Sequence, residues 1–255
     1  GLGKIVVYDA LNNPTNLSLD TQAPTVADNI AYYKGTKAIV RATDTGDAGL
    51  WKVVDEANKD AQALTGGTFT GENASEIAEV TIQQGTQTIY VVDKGGNISA
   101  PITLVEDKTP PTATPSYSGG TISLNVTDPV GIAQIGQTEY PTYPTSTNYP
   151  VPANTAEVTV TDALGNSTDI TIDTTMPNIA RVAKKDNKVM LKVEATGLNL
   201  WKASESADSS VDGIHNFSSN SETVFLTTSA DTLYVYDVAG HSATVDLTDQ
   251  DVLDQ

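Results

Sequence analysis

Aspartates at repeated positions are the residues of this chain whose type and spacing could do chemistry. One kind opens the motif Asp-x-x-Gly/Asn-Asn/His and comprises Asp9, Asp93, Asp162 and Asp237. A second kind lies four residues before a proline and comprises Asp20, Asp107 and Asp173. Carboxylate oxygens are the hard ligands that Ca²⁺ prefers, and this ion takes about six to eight of them. The alternative is that each Asp caps its own turn, because Asp side chains also bind turn amides. The chain has no dense Asp-x-Asp-x-Asp-Gly loop, which would favour calcium outright.

Short strands must position these aspartates. Apolar residues alternate before each turn Asp, as Val158 and Val160 do before Asp162, and this period of two predicts half-buried strands. Gly and Asn tolerate positive φ, so the motif predicts a hairpin whose Asp binds the turn amides. The turn Asp recurs at intervals of 84, 69 and 75 residues. Intervals of this length indicate a domain-sized repeat and not a solenoid.

Composition narrows the classes of function. The chain has 255 residues, with 14 Lys and Arg against 32 Asp and Glu, so its net charge is −18. This charge argues against nucleic acid or anionic lipid as a partner, since phosphate would be repelled, but it permits a divalent cation. Cysteine is absent, which excludes disulfides and thiol chemistry, and no apolar run reaches transmembrane length. Three Phe and two Trp suit several small cores better than one large core.

The linker prolines suggest the domain boundaries, because proline cannot continue a strand ladder. We predict a closing hairpin of a truncated repeat at 1–23, followed by domains at 24–107, 108–174 and 175–255. The hairpin is expected to dock on the first complete domain or on a neighbouring molecule, since an isolated hairpin is marginal in water. Residues 55–64 have helix-forming composition and predict a short helix. The proline-rich segment 138–152 predicts an extended edge or loop.

Each copy has an early turn, written TDTGDAGLWKV, TDPVGIAQI and ATGLNLWKA, and a late motif V-x-D-x-x-G-N with its Asp-x-x-x-Pro linker. Together these two features resemble the immunoglobulin-like repeats of large bacterial surface adhesins and S-layer proteins. The third copy departs from the pattern, with Gly197 in place of the loop Asp and His241 in place of Asn. The resemblance covers nearly the whole chain. It implies an all-β fold of tandem immunoglobulin-like sandwiches in an extended arrangement, located on the outside of a bacterial cell.

In such a sandwich the entering linker, the loop after the second strand and the closing hairpin lie at one pole, which predicts three acidic clusters at the junctions. The first combines Asp20, Asp44 or Asp47, and Asp93; the second combines Asp107, Asp128 and Asp162; the third combines Asp173 and Asp237, with Glu194 a poor substitute for the missing loop Asp. Calcium at these junctions is the predicted cofactor, and capping of turns by the same aspartates is the alternative.

Aromatic residues offer a second kind of surface. Tyr140, Tyr143 and Tyr149 lie among prolines and are the predicted ligand-binding residues, because Tyr gives amphipathic contact area at low entropy cost. The alternative is that they pack over the sandwich edge. Trp51 and Trp201 occupy equivalent places in the first and third copies. We interpret them as core residues, and the alternative is that they are platforms on which sugars stack.

Catalysis is not indicated, because the chain has two His, no Cys and none of the common catalytic motifs. The predicted function is a non-catalytic structural or adhesive segment that spaces or displays other domains of the parent surface protein. Its partners would be those domains and a host or cell-wall glycan or protein. One alternative is a carbohydrate-binding accessory region of a secreted polysaccharide-degrading enzyme. Another is an assembly subunit that exchanges the hairpin of residues 1–23 between molecules.

Overall fold

The computed structural model describes residues 4–248 and is built from β-strands, with one 3₁₀ turn at Ala27–Asn29. The prediction of an all-β fold is confirmed. Among the described residues, no helix has the length and apolar character needed to cross a membrane. The helix predicted for residues 55–64 is wrong, because that stretch is an irregular loop.

A hairpin and three larger units, here called the first, second and third units, follow one another along the chain. The hairpin consists of β1 (Lys4–Tyr8) and β2 (Pro14–Ser18). The first unit contains β3 (Thr25–Val26), β4 (Ile30–Lys34), β5 (Lys37–Thr43), β6 (Leu50–Val54), β7 (Ser75–Thr81), β8 (Thr88–Asp93) and β9 (Ile102–Glu106). The second contains β10 (Thr112–Ser118), β11 (Thr121–Thr127), β12 (Ile132–Ile135), β13 (Thr138–Glu139), β14 (Ser146–Pro150), β15 (Glu157–Asp162) and β16 (Ser167–Thr171). The third contains β17 (Asn178–Lys185), β18 (Lys188–Glu194), β19 (Leu200–Ser204), β20 (His215–Asn216), β21 (Ser221–Thr227), β22 (Thr232–Asp237) and β23 (Ser242–Asp246).

The second and third units share one topology. Each has a three-stranded sheet, β10-β11-β14 or β17-β18-β21, and a four-stranded sheet, β13-β12-β15-β16 or β20-β19-β22-β23. Alternate residues of both sheets enter one core, as Leu124 of β11 and Val160 of β15 do in the second unit. Each unit is therefore a sandwich of two antiparallel sheets. In the first unit, a parallel pairing of β4 with β9 joins the strands into one continuous sheet.

The hydrophobic cores are small and follow the units. The core of the first unit draws on residues between Val26 and Leu104, and that of the third on residues between Val182 and Leu247. The core of the second unit lies between Ile122 and Ile172 and also receives Ala239 from the third. The predicted domain limits stay predictions, but each core lies largely within one of the predicted ranges.

The hairpin β1–β2 forms a two-stranded sheet of its own. Its apolar side chains are exposed, Val7 by 47% and Leu11 by 83%. Docking on the first unit, one of the two expected positions, is therefore wrong, since it would have buried one face of the hairpin. Docking on a neighbouring molecule stays a prediction.

Candidate metal centre

The four hairpin turns have the same construction, as the motif predicted. The Asp carboxylate accepts the backbone amide four residues later: from Asn13 onto Asp9, from Asn97 onto Asp93, from Asn166 onto Asp162, and from His241 onto Asp237, at 2.8 to 3.0 Å. The residue three places after each Asp has positive φ, at Asn12, Gly96, Gly165 and Gly240. The capping role of these aspartates is therefore present in every copy, whether or not a metal also binds.

The linker and loop aspartates gather at these turns, and the first gathering is the tightest. One carboxylate oxygen each of Asp20, Asp44 and Asp93 lies within 4.8 Å of the other two. Among the residues that the structure describes, this is the one group of acidic, His or Cys side chains with that geometry. Asp44 and Asp93 are buried, with 1% and 0% of their surface exposed.

The local backbone holds Asp20 in the first cluster. Its Oδ2 accepts the amide of Ala48 at 2.8 Å, and its Oδ1 accepts the amide of Gln22 at 2.8 Å. A Cβ at Gly46 would lie 2.1 Å from Asp20 Oδ2, so only glycine allows this approach. The linker Asp is thus fixed against the loop between β5 and β6.

Asp44, a member of this cluster, has one carboxylate oxygen without a hydrogen-bond partner. Its Oδ1 accepts the amide of Gly46 at 2.9 Å, whereas its buried Oδ2 has no hydrogen-bond partner. A buried carboxylate oxygen without a partner is costly, and the nearby Asp20 and Asp93 add repulsion. The donor set fits a hard divalent cation such as Ca²⁺, which would offset most of the negative charge of the three carboxylates. Asp47, the other loop candidate, is exposed and is not part of the cluster.

The second cluster is satisfied by the protein itself. Asn166 Nδ2 donates to Asp162 Oδ2 at 2.7 Å and to Asp107 Oδ2 at 2.9 Å, so it ties the linker Asp to the turn Asp. Asp128 accepts the amides of Val130 and Gly131 at 2.8 and 3.0 Å. Burial raises the pKa of Asp128 to about 6, and repulsion from Asp162 and Asp107 adds to this. Burial, together with the neighbouring Asp162, also raises the pKa of Asp107.

The third cluster lacks the loop carboxylate. The backbone amides of Asp44, Asp128 and Ala195 bond to equivalent carbonyls, so Ala195, and not Gly197, stands at the loop Asp position. Glu194 lies one residue earlier and forms an ion pair with Lys192 at 3.1 Å. Asp237 Oδ2 lies 2.9 Å from His241 Nδ1, which therefore replaces the Asn amide of the other turns. The Thr175 hydroxyl and amide hold Asp173 and lower the pKa of its carboxyl, and His241 adds to this.

The predicted tyrosine surface is divided between two places. Tyr140 and Tyr149 are half-buried against the core of the second unit. Tyr143 lies in an apolar cluster between the first and second units, with its hydroxyl donating to Glu79 at 3.2 Å. The three rings are thus not gathered on one exposed face.

Trp51 is 40% exposed, so the interpretation of Trp51 as a core residue is wrong. Trp201, its counterpart in the third unit, is half-buried. In both units the following lysine is buried and lies beside the ring, with Lys52 Nζ 4.0 Å from the centroid of Trp51 and Lys202 Nζ 3.9 Å from that of Trp201. These lysines donate to loop carbonyls, Lys52 to Ala61 at 2.6 Å and Lys202 to Ser209 and Val211 at 2.6 Å.

The functional residues that the sequence did not reveal are the cations between the first and second units. Arg41 Nη2 donates to the carbonyl of Val130 at 2.6 Å and also to that of Tyr143. Lys34 Nζ donates to Asn166 Oδ1 at 2.7 Å and to the carbonyl of Gly165 at 3.1 Å. The scarcity of basic residues, 14 in the whole chain, was the only signal that could have drawn attention to them.

Comparison with protein-family models and with curated proteins finds no match to this chain. The site must therefore be interpreted from its own residues.

Proposed function

We propose that this chain is a non-catalytic structural or adhesive segment of a bacterial cell-surface protein, in which tandem immunoglobulin-like sandwiches space or display other domains. The observation that carries this proposal is the bonded contact between the first and second units. Spacing requires successive units to keep their relative orientation, and such a contact restricts bending more than a linker alone.

This contact combines polar and apolar parts. Lys34 and Arg41 of the first unit donate to backbone or side-chain oxygens of the second. Beside them, Ile39 packs with Val130, Ala163 and Leu164 in a separate apolar cluster. The linker is also bonded at both sides, since the Asp107 amide donates to the backbone carbonyl of Tyr33 at 2.8 Å and the Asp107 carboxylate accepts from Asn166 Nδ2.

The strand order supports the immunoglobulin-like assignment. In the second and third units, the sheets β10-β11-β14 and β13-β12-β15-β16, with their counterparts, correspond to an A-B-E sheet facing a C′-C-F-G sheet. This order resembles that of immunoglobulin-like sandwiches, in which strands A, B and E share one sheet and strands C, F and G share the other. A fold alone does not determine a role. The proposal of a surface function therefore rests on the contacts at the junctions and on the acidic, cysteine-free composition.

We further propose one divalent-cation site, with Ca²⁺ as the expected ion, formed by Asp20 of the linker and by Asp44 and Asp93 of the first unit. The unpartnered Oδ2 of buried Asp44 is the observation that supports it. Asp107, Asp128 and Asp162 were predicted as a second site, but Asn166 already bonds two of them. Asp173 and Asp237 lack a loop carboxylate and are held by Thr175 and His241. The first of the three clusters is therefore the one at which we expect a metal ion to bind.

Distance measurements between spin labels test the spacer role. The chain has no cysteine, so labels at Gln84→Cys in the first unit and Asn187→Cys in the third are unique, and both positions are exposed. A spacer should give one narrow distance distribution in millimolar Ca²⁺. A broad distribution both in Ca²⁺ and in a chelator would contradict the proposal, because freely jointed units cannot hold a fixed spacing.

Carbohydrate binding is the second candidate function, and the exposed ring of Trp51 is the observation that favours it. Exposed aromatic rings can stack on sugars through their apolar faces. Glycan-array binding that is lost in Trp51→Ala and kept in Tyr149→Phe would support this candidate. Equal binding by both variants would contradict it.

A further inference from the structure

The β1–β2 hairpin presents an apolar surface that the rest of the described structure leaves exposed. Ile5, Val7 and Leu17 are 47%, 47% and 49% exposed. Ile5 pairs with Leu17, and Val7 with Thr15, so these side chains line up across the two strands. Isolated two-stranded hairpins are marginally stable in water, and an apolar surface of this kind marks an interaction site.

The three complete units identify what covers such a hairpin. Each ends in an equivalent pair of strands closed by the same Asp-capped turn. The residues equivalent to Ile5 and Val7 are exposed by no more than 3% in every unit: Ile89 and Val91, Val158 and Val160, Leu233 and Val235. The residues equivalent to Leu19 in the second and third units, Ile172 and Leu247, are exposed by 2% and 3%, against 42% for Leu19.

The pairing register specifies the missing partner strand. In each unit the first strand of the hairpin pairs antiparallel with one strand, and a β-bulge follows the first paired residue. The partner residues opposite the turn Asp are Leu50, Ile132 and Leu200, and those two positions further on are Lys52, Gln134 and Lys202. A strand facing Asp9 should therefore have the sequence pattern Leu/Ile-x-Lys/Gln-apolar.

We propose that residues 4–19 are the closing hairpin of a fourth sandwich of the same type, completed by polypeptide that precedes them in the same molecule. The repeat order supports this source, because the strands β7, β14 and β21, which precede each closing hairpin, belong to the same unit as that hairpin. The inference depends on the repeated strand pairing and not on the proposed surface function.

Hydrogen exchange on an extended chain tests the proposal. Residues 175–231, the third unit without its closing hairpin, are placed directly before Lys4 of the full chain. If the proposal holds, the amides of residues 5–19 exchange at least about 100-fold more slowly than in the unextended chain, because the hairpin has joined a cooperative unit. In the matched variant Val7→Lys, the protection should be lost while the downstream units keep theirs. A second extended chain with residues 175–248 placed upstream provides a reference for the complete sandwich.

Two outcomes would overturn the proposal. One is exchange at residues 5–19 that is unchanged by the extension while the reference sandwich is protected. The other is protection of these amides in the unextended chain that rises with protein concentration, together with dimer in sedimentation, since a second copy would then cover the hairpin. Neither outcome bears on the spacer role of the three complete units, which the spin-label distances test separately.

Discussion

Arg41 Nη2 donates to the carbonyl of Val130 at 2.6 Å and thereby joins the first unit to the second. The carbonyl of Tyr143 accepts from the same nitrogen, so one guanidinium bonds two loops of the second unit. Burial lowers the pKa of Arg41, with Asp128 acting against it, but a guanidinium remains charged at neutral pH. The contact therefore brings one cation of the first unit to the acidic pole of the second.

Gly131→Ala should separate these two units. A Cβ at this position would lie 2.0 Å from Arg41 Nη2 and 2.3 Å from the carbonyl oxygen of Tyr143, so the bond network would have to open. We expect a broadened distance distribution between labels at Gln84→Cys and Ser118→Cys, and a loss of about 1–3 kcal/mol in unfolding free energy.

Gly136→Ala is the matched control for Gly131→Ala. Gly136 also has positive φ and belongs to the second unit, but the nearest atom to a Cβ added there is Tyr149 Oη at 3.4 Å, an ordinary contact away from the junction, so this variant isolates the backbone strain. If both variants broadened the distance distribution equally, the Arg41 contact would not be what fixes the junction.

Calcium binding should depend on Asp44 and not on Asp47. Asp44→Asn removes a charge from the first cluster, in which one carboxylate oxygen of each Asp lies within 4.8 Å of the others, whereas Asp47 is exposed and outside that cluster. In calorimetric titrations with CaCl₂ we expect Asp44→Asn to weaken binding by at least about tenfold and Asp47→Asn to change it little. The melting temperature of the wild type should rise with Ca²⁺ by mass action, and that of Asp44→Asn much less. An unchanged Ca²⁺ affinity in Asp44→Asn would refute the site.

Asp128 should make the unfolding free energy depend on pH when divalent cations are removed. Its pKa in the folded protein is about 6, above its ordinary 3.8, so the folded state binds the proton more tightly than the unfolded state does. Its contribution is fully present below about pH 4 and is lost as pH rises through about 6. Between pH 4 and 7, wild type should lose on the order of 1–3 kcal/mol relative to Asp128→Asn, which cannot titrate. Urea unfolding in EDTA measures this difference, and parallel pH profiles for the two proteins would contradict it.

The sequence predicted the strands and turns because these depend on local chemistry. Alternation around Val158 and Val160 and the Asp162 cap are features of neighbouring residues. Trp51 was misinterpreted because the prediction took it for the buried Trp that is usual in this strand of such sandwiches, whereas it lies at a β-bulge between Leu50 and Lys52 and is 40% exposed. The predicted helix at 55–64 failed because a tertiary bond from Lys52 holds that segment as a loop.

The candidate site was predictable only in part, for a related reason. Asp20, Asp44 and Asp93 were grouped correctly because their positions follow from the order of strands and turns. The neutralisation of the second cluster was not predictable, because Asn166 bonds Asp107 across 59 residues and no local pattern encodes that distance. The same holds for Arg41 and Lys34, whose contacts join different units.

Lys52→Met should destabilise the first unit more than the loss of an exposed lysine would. Lys52 is buried, and its Nζ donates to the carbonyl of Ala61 at 2.6 Å, closing the loop that follows β6. Methionine keeps the apolar stem but leaves that carbonyl without its donor, so we expect a loss of about 1–3 kcal/mol in unfolding free energy and faster amide exchange across residues 55–64.

Lys59→Met is the matched control for Lys52→Met, because Lys59 is exposed and its ion pair with the neighbouring Asp60 adds little stability. Since Lys202 donates in the same way to Ser209 and Val211, Lys202→Met should repeat the effect in the third unit. Equal urea midpoints for Lys52→Met and Lys59→Met would mean that the loop is held by other contacts.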